Sequence, residues 1–323
     1  MPPSTSVPQP PAVITVLMAV YNGARYLEAQ LDSIAAQTHP DWRIIASDDG
    51  STDASKPLLE AVAGRWTKEH VTPLEIIDGP RQGAAENFMS LLRHAAGQDT
   101  PPEWIAFSDQ DDIWLEDKLA RAQAALRAHP ADVPALYCAR TWIMDPQMEQ
   151  RRLSAPRPRQ PGFCNALVQN IASGNTILLN PAASAMVLEA ATQIGQVVVH
   201  DWWVYQLVTG AGGTVVHDDT PALLYRQHPD NEIGANDTLR AKVKRIGQLL
   251  KGDFRDWNRI NVATLNITGQ MLTARNRQIL SGFESLPKRA LLPRLFLLRR
   301  LGLYRQSLAS TVALWVAATL GKL

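Results

Sequence analysis

The stretch WRIIASDDGSTD, Trp42 to Asp53, decides the fold. Trp42–Ser47 reads as a β-strand, and Asp48-Asp49-Gly50-Ser51-Thr52-Asp53 ends it with a dense run of turn and N-cap residues. A helix is expected near Ala54–Gly64. Upstream, Val13–Val20 is a continuous β-rich run, the pattern of a strand covered on both faces. It breaks at Tyr21-Asn22-Gly23, and Leu27, Leu31 and Ile34 then set a helical spacing over Ala24–Gln37 that Pro40 closes. Downstream come a strand at Leu74–Asp78, a helix at Ala84–Ala96 and a strand at Trp104–Ser108 that runs into Asp109-Gln110-Asp111-Asp112. Strands alternating with helices predict an α/β, Rossmann-like domain with a mostly parallel sheet and right-handed crossovers. On such sheets ligands sit at the carboxyl ends of the strands.

Past about residue 130 the pattern loosens. Ala135–Met144 and Thr176–Asn180 read as strands, separated by the Pro- and Arg-rich segment Arg151–Pro161, which reads as a mobile loop. Val199–Thr209 reads as a helix; Val215–His217 and Leu223–Tyr225 read as short strands before the polar loop His228–Asp237. From Leu239 onward the chain reads as helices, and no internal repeat is visible. The expected organisation is a disordered leader over 1–12, a catalytic domain over 13–238 and a basic helical region over 239–323.

With 323 residues, 46% of them hydrophobic and 20% charged, the chain can bury a full core without disulfide or metal staples. Cys138 and Cys164 form no framework and fit no zinc spacing, which suits a reducing compartment. The leader MPPSTSVPQPP has neither a basic region nor an apolar core, unlike a signal peptide. The longest apolar stretch, Ser307 to Leu320, is shorter than the ~20 residues a spanning helix needs. A net charge of +1 conceals a strong division. From Arg240 to Leu323 there are 16 Lys and Arg against 3 acids, +13, so the preceding residues sum to −12. An acidic body with a basic tail implies that the tail meets an anionic surface.

The two acidic clusters, Asp48-Asp49 and Asp109 to Asp112, each follow a predicted buried strand. A parallel sheet puts them on one rim, where converging carboxylates repel unless a cation or hydrogen-bond donors offset them. A divalent cation with a phosphate ligand resolves that cost, since hard cations take carboxylate and phosphate oxygens. Turn-forming and helix-capping acids are the alternative reading of either cluster alone. The turn after the first strand, AVYNGARY, has neither G-x-G-x-x-G nor G-K-[ST], which disfavours dinucleotide-dependent dehydrogenases and P-loop enzymes.

Ala19-Val20-Tyr21-Asn22-Gly23, Ser47 to Asp53, and Ser108-Asp109-Gln110-Asp111-Asp112-Ile113-Trp114, in this order and spacing, resemble family-2 glycosyltransferases over roughly Val13–Arg226. The form FSDQDDIW, followed by HDWW and YRQH, is similar to the branch that includes rhamnosyltransferases of bacterial surface polysaccharides. The resemblance implies a GT-A fold, a nucleotide-sugar donor such as dTDP-rhamnose, and inversion at the anomeric carbon. It places Asp49 on the nucleobase and the Ala19–Tyr21 turn beside base and ribose. Asp109 and Asp111 then stand where the family's D-x-D holds ribose and a Mn²⁺ or Mg²⁺ ion on the diphosphate, a Lewis acid for the departing group. Arg81 stands in a loop within reach of donor phosphate, or is a solvated loop arginine. The family's general base matches Asp201 of His200-Asp201, with His200 where the family usually has Glu; a helix-capping acid is the other reading. Trp202 and Trp203 offer an apolar platform for a sugar, one of them as core. His228, beside Arg226 in YRQH, matches a histidine that reaches metal or diphosphate, although a lone His also suits a structural role. The loop Pro229–Asp237 is expected to close over the donor as a lid.

Residues 240–300 mix Lys and Arg with Leu, Ile and Phe, and Leu291-Leu292, Leu295 to Leu298 and Leu301 form an apolar face flanked by arginines. Such helices suit the interface of an anionic bilayer, which implies a cytoplasmic protein peripheral on the inner face of the cell membrane. A helical cap or an oligomer interface is the alternative. Nucleic acid is disfavoured by the scarcity of stacking aromatics and the lack of a recognised module. The acceptor implied is a glycan or a lipid-linked oligosaccharide. Two rival functions remain: a nucleotidyltransferase, which usually has a basic glycine-rich loop that AVYNGARY lacks, and a non-catalytic sugar- or partner-binding module, which intact Asp109, Asp111 and Asp201 disfavour.

Overall fold

The computed structural model describes residues 12–69, 73–145, 147–227 and 253–323. Its centre is β1 (Ile14–Val20), buried at all seven positions. Ile14, Val16, Met18 and Val20 pack into one apolar layer with Leu27, Leu31 and Ile34 of α1 (Ala24–Ala35). Leu17 and Ala19 point into the other, with Phe88, Met89 and Leu92 of α3 (Ala84–Ala96). The two-residue period of a strand thus feeds two helical layers, and the protein is a three-layer α/β structure.

β1 pairs in parallel with β2 (Trp42–Asp48) on one side and β4 (Trp104–Ser108) on the other, and β2 pairs in parallel with β3 (Leu74–Asp78). The seven-stranded sheet runs β10-β6-β9-β4-β1-β2-β3 and includes β6 (Ala135–Ala139), β9 (Leu178–Leu179) and β10 (Thr214–Asp218). Only β9 is antiparallel to its neighbours. A second sheet has the order β5-β11-β7-β8, made by Ile113–Trp114, Leu223–Tyr225, Trp142–Met144 and Arg151–Leu153 respectively. The remaining helices of the domain are α2 (Ser55–Lys68), α4 (Lys118–Arg127), α5 (Phe163–Ala166), α6 (Pro181–Gln193) and α7 (His200–Gly210). α6 starts where Asn180 accepts from the Ala183 amide and Pro181 fills the first helical turn.

Three expectations are corrected. Ala135–Met144 is two strands in two sheets, divided at Arg140-Thr141. The expected loop Arg151–Pro161 begins as β8, antiparallel to β7. Farther along it, the Arg159 amide donates to Gln306 Oε1 at 3.0 Å. Thr176–Asn180 contains only the two-residue β9, preceded by a single 3₁₀ turn at Gly174–Thr176. β9 and the far end of the loop are held by partners distant in sequence, which local pattern does not reveal, whereas β8 pairs with nearby β7 through a charged, exposed run that lacks strand periodicity.

The C-terminal helices are α8 (Asp253–Ile267), α9 (Ala274–Ser285), α10 (Leu291–Leu301) and α11 (Leu308–Thr319). They do not form a separate body. Phe254, Leu265, Leu272, Phe283, Leu298 and Leu314 belong to the same buried cluster as α3, α6 and α7. Asn276 Nδ2 donates to the Thr209 and Gly210 carbonyls at 3.1 and 2.9 Å, and Asn165 Nδ2 donates to the Tyr304 carbonyl at 3.0 Å. The boundary expected at residues 238 and 239 therefore divides the sequence without dividing the core.

Candidate functional site

The parallel register fixes the site. Val20 lies opposite Asp48, and Met18 opposite Ser108. Both acidic clusters therefore leave neighbouring strands at one rim, on either side of the β1 turn. That turn is bound to both. Tyr21 N–H donates to Gln110 Oε1 at 2.8 Å, and Gln110 Nε2 returns a bond to the Tyr21 carbonyl at 2.9 Å. On the other side the amides of Asn22, Gly23 and Ala24 donate to Ser51 Oγ, Ser55 Oγ and Asp53 Oδ2. Asn22, at φ 48°, accepts the Thr52 amide through its side chain, a left-handed conformation that asparagine tolerates.

The acids divide by role. Asp53 ties the start of α2 to the β1 turn: slight burial opposes its ionisation, but hydrogen bonds from Ser55 and Ala24 outweigh that and hold its carboxyl below the usual range. Asp49 is buried, and its two oxygens accept the amides of Arg81 at 2.6 Å and Gly83 at 2.8 Å. It fixes the loop after β3, where Arg81 sits at φ 59° with its side chain packed over Gly50. A methyl group on Gly79 would lie 2.9 Å from Asp49 Cα, so that loop admits no side chain there. The Ala19 side chain is buried in the sheet and Tyr21 is exposed.

Asp109 and Asp111 stand half-buried at the end of β4. Asp112 turns inward and is fully buried. Its Oδ2 accepts from Asn175 Nδ2 at 2.6 Å, while its Oδ1 has no hydrogen-bond partner. Burial, then the charges of Asp111 and Asp109, push its carboxyl well above the usual range. Below it Lys118 is also fully buried, its Nζ 3.1 Å from the centroid of the Trp114 ring, and desolvation lowers its pKa despite the pull of Asp112. Arg226 reaches the same place, its Nε donating to the Asp111 carbonyl at 3.2 Å and its guanidinium over the Tyr26 ring.

Asp201 opens α7. Gly174 N–H donates to its Oδ2 at 3.0 Å and Trp202 N–H to its Oδ1 at 2.6 Å. Burial pushes its carboxyl up to about 6, against these hydrogen bonds, which favour the anion. One turn, Gly174–Thr176, therefore holds Asp201 through a backbone amide and Asp112 through the Asn175 side chain. Neither that turn nor Gln110 stood out in the sequence. Their signal is the pairing of distant strands, and a polar Asn175 beside the apolar run that follows is the sole local hint.

Two neighbours of Asp201 are core residues. His200 stacks on Phe88 with ring centroids 3.8 Å apart, neither ring nitrogen has a partner, and burial pushes its pKa down to about 3. Trp202, expected to offer a platform for a sugar, is buried: Nε1 donates to the Ala166 carbonyl at 2.7 Å and the ring packs against Phe254 and Trp257. Trp203 is wholly buried. α8 covers this face, which the sequence could not show. His228 and the expected lid at 229–237 lie outside the described residues.

Among the described residues no three His, Cys, Asp or Glu form a set that could hold a metal ion. Two carboxylates are enough where substrate phosphates complete the shell, as Mg²⁺ sites commonly arrange. The mutual repulsion at Asp109, Asp111 and Asp112 fits a cation at that rim.

The glycosyl transferase family 2 profile matches residues 15–183. The chain is 28% identical over 240 residues to dTDP-rhamnosyl transferase RfbG of Shigella flexneri, covering 71% of this chain and 78% of that protein. It is 30% identical over 111 residues to the Escherichia coli UDP-Glc:alpha-D-GlcNAc-diphosphoundecaprenol beta-1,3-glucosyltransferase WfgD, covering 33% of this chain and 38% of that protein. Among solved structures, S. aureus TarS 1-349 in complex with UDP-GlcNAc superposes with a TM-score of 0.53 at 14% identity, covering 96% of this chain and 88% of that one. This last likeness concerns the fold.

Proposed function

The chain belongs to glycosyl transferase family 2, and on that premise we propose that it moves a sugar from a nucleotide-sugar donor to a hydroxyl of a glycan or lipid-linked oligosaccharide acceptor in surface-polysaccharide synthesis, with inversion. Its similarity to RfbG favours dTDP-rhamnose as the donor. The observation that carries the reading is the Gly174–Thr176 turn, which joins the acidic rim of the sheet to a buried, partly basic carboxylate at Asp201.

In this reading the β1 turn from Ala19 to Tyr21 and the loop fixed by Asp49 bound the nucleoside, and Arg81 faces the donor phosphates. Asp109 and Asp111 hold Mn²⁺ or Mg²⁺, which when bound stabilises the charge on the departing nucleoside diphosphate. Asp201 accepts the proton of the acceptor hydroxyl. A carboxyl raised to about 6 is mostly ionised at neutral pH yet a better base than a solvated aspartate. His200 has no part in proton transfer, because its ring is stacked on Phe88 and both its nitrogens are buried. The basic C-terminal region brings the site to the anionic inner face of the membrane, where a lipid-linked acceptor resides.

Nucleoside diphosphate should bind far more tightly with Mn²⁺ or Mg²⁺ than with EDTA, and Asp111→Asn should erase that difference without lowering the melting temperature. Equal affinity with and without metal would remove Asp109 and Asp111 from this role. The released product separates the rival chemistry: a nucleotidyltransferase liberates pyrophosphate, a glycosyltransferase nucleoside diphosphate.

Asn175 is a positioning residue in this scheme. Asn175→Ala removes the side-chain donor to the buried Asp112 carboxyl, a loss on the order of 1–3 kcal/mol. We expect kcat to fall about tenfold while KM for the donor stays within about twofold, the split for an interaction felt mainly in the transition state. Asn175→Asp should be worse, setting two carboxylates at the place of a 2.6 Å hydrogen bond. An unchanged kcat in both variants would show that the turn does not set the base.

A further inference from the structure

The apolar face expected on the C-terminal helices is divided between core and solvent. Leu295, Leu297, Leu298 and Leu301 pack onto the core. What α10 leaves in solvent is Leu291, Leu292 at 77% exposure and Phe296 at 71%. α11 adds Leu308 at 81%, with Val312, Val316 and Leu320 each about half exposed. These four recur every fourth residue and so form one stripe along α11 and onto Leu320 at its end, on a helix without a single charged side chain. Arg294 draws the two surfaces together: its guanidinium donates to the Leu286 and Arg289 carbonyls near the start of α10 and to the Ala318 carbonyl at the end of α11. The end of the α11 stripe thus lies beside the exposed start of α10.

The charge carried by the hairpin segment itself has one sign, while Asp256 of α8 and Glu284 of α9 stand near Lys288 at its edge. Ser285 to Leu323 contain seven Lys and Arg and no Asp or Glu. A second copy docked on the same surface would oppose like charges, whereas anionic lipid phosphates complement them. No helix among the described residues is long and apolar enough to cross a membrane. Short helices with an exposed apolar stripe and a basic surround lie in the plane of the interface.

We infer that the α10–α11 hairpin is an interfacial anchor, its exposed leucines, valines and Phe296 seated at the acyl boundary of an anionic bilayer and its exposed Lys288, Arg289, Arg299 and Arg300 on the lipid phosphates. This rests on the membrane contact proposed above and names the surface that makes it. Anchoring by this surface is partly apolar, so it persists at high salt, where screening shortens to about 3 Å. A purely electrostatic tail would be released.

The test is flotation of the full chain with phosphatidylglycerol vesicles and with phosphatidylcholine vesicles, at low and high salt. The full chain should float with the anionic vesicles and keep part of that binding at high salt. Leu308→Gln/Val312→Gln/Val316→Gln, all at solvent-facing positions, should lower the partition coefficient about tenfold or more. Its melting temperature and nucleoside diphosphate binding should remain. Arg299→Gln/Arg300→Gln should instead reduce the preference for anionic lipid. A full chain that ignores anionic vesicles at low salt would overturn the membrane contact altogether. Equal flotation of the triple variant would overturn this surface alone. A concentration-dependent dimer that the triple variant abolishes, with no flotation, would assign the surface to a second copy and overturn the anchor.

Discussion

Asp201→Asn should reduce turnover by about 10²-fold or more, the usual scale for loss of a general base, and leave donor binding within a few-fold. The substitution keeps the volume and removes the proton acceptor. It also sets an amide NH₂ toward one of two backbone donors, Gly174 N–H or Trp202 N–H, which costs on the order of 1–3 kcal/mol of stability. A melting curve and a nucleoside diphosphate titration separate this modest loss from the large kinetic one. The wild-type pH profile carries the same assignment. The active form is the anion, and burial raises the carboxyl to about 6. Activity should therefore be level above that pH and fall about tenfold per unit below it. Asp201→Asn should lack that limb in whatever activity remains. Near-normal turnover in the variant would place the base elsewhere, and His200 is no substitute, since it has no nitrogen open to a substrate hydroxyl.

The first third of the chain, up to Ser108, was readable because its strands are all parallel, β1, β2 and β4 are continuous buried runs, and each helix has its own amphipathic period. β3, α3 and β4 fall on the residues expected from pattern alone. The convergence of the acids follows from the same regularity: β2 and β4 both flank β1, so their C-terminal residues share a rim. Pattern failed where structure depends on partners far away. β9 has only two residues and is defined by β4 and β6. Asp53 and Asp49 are both acids in one turn, yet Asp53 reaches back to the Ala24 amide of the β1 turn and Asp49 holds the loop after β3. Trp202 has the amphipathic ring of a sugar platform, and only the position of α8 shows it covered. Likewise the leucines of α10 have a readable period, but which side meets the core depends on where α9 and α11 sit.

Removing the C-terminal helices should abolish the folded state. A chain ending near residue 237 would, if the tail were a separate body, keep its donor site intact, since every donor motif in the described residues precedes it. The packing contradicts that separation. Phe254 lies against Trp202, Leu272 fills the space beside Gly210 and Phe163, and both belong to the cluster that supports α3, α6 and α7. Each large apolar side chain taken out of water contributes about 1.5–3 kcal/mol. Losing even five such contacts removes on the order of 10 kcal/mol, comparable to the 5–15 kcal/mol that usually separates folded from unfolded domains. The caps lost with them are specific: Asn276 no longer bonds the last carbonyls of α7, and Tyr304 no longer bonds Asn165. α7 carries Asp201, so the base would lose its support even if the sheet survived. The truncated chain should be insoluble or melt without cooperativity and bind no nucleoside diphosphate, while the full chain with its exposed α11 stripe changed to glutamine stays folded. A soluble monomer ending at residue 237, with a cooperative transition and wild-type donor affinity, would show that the tail is dispensable to the catalytic domain after all.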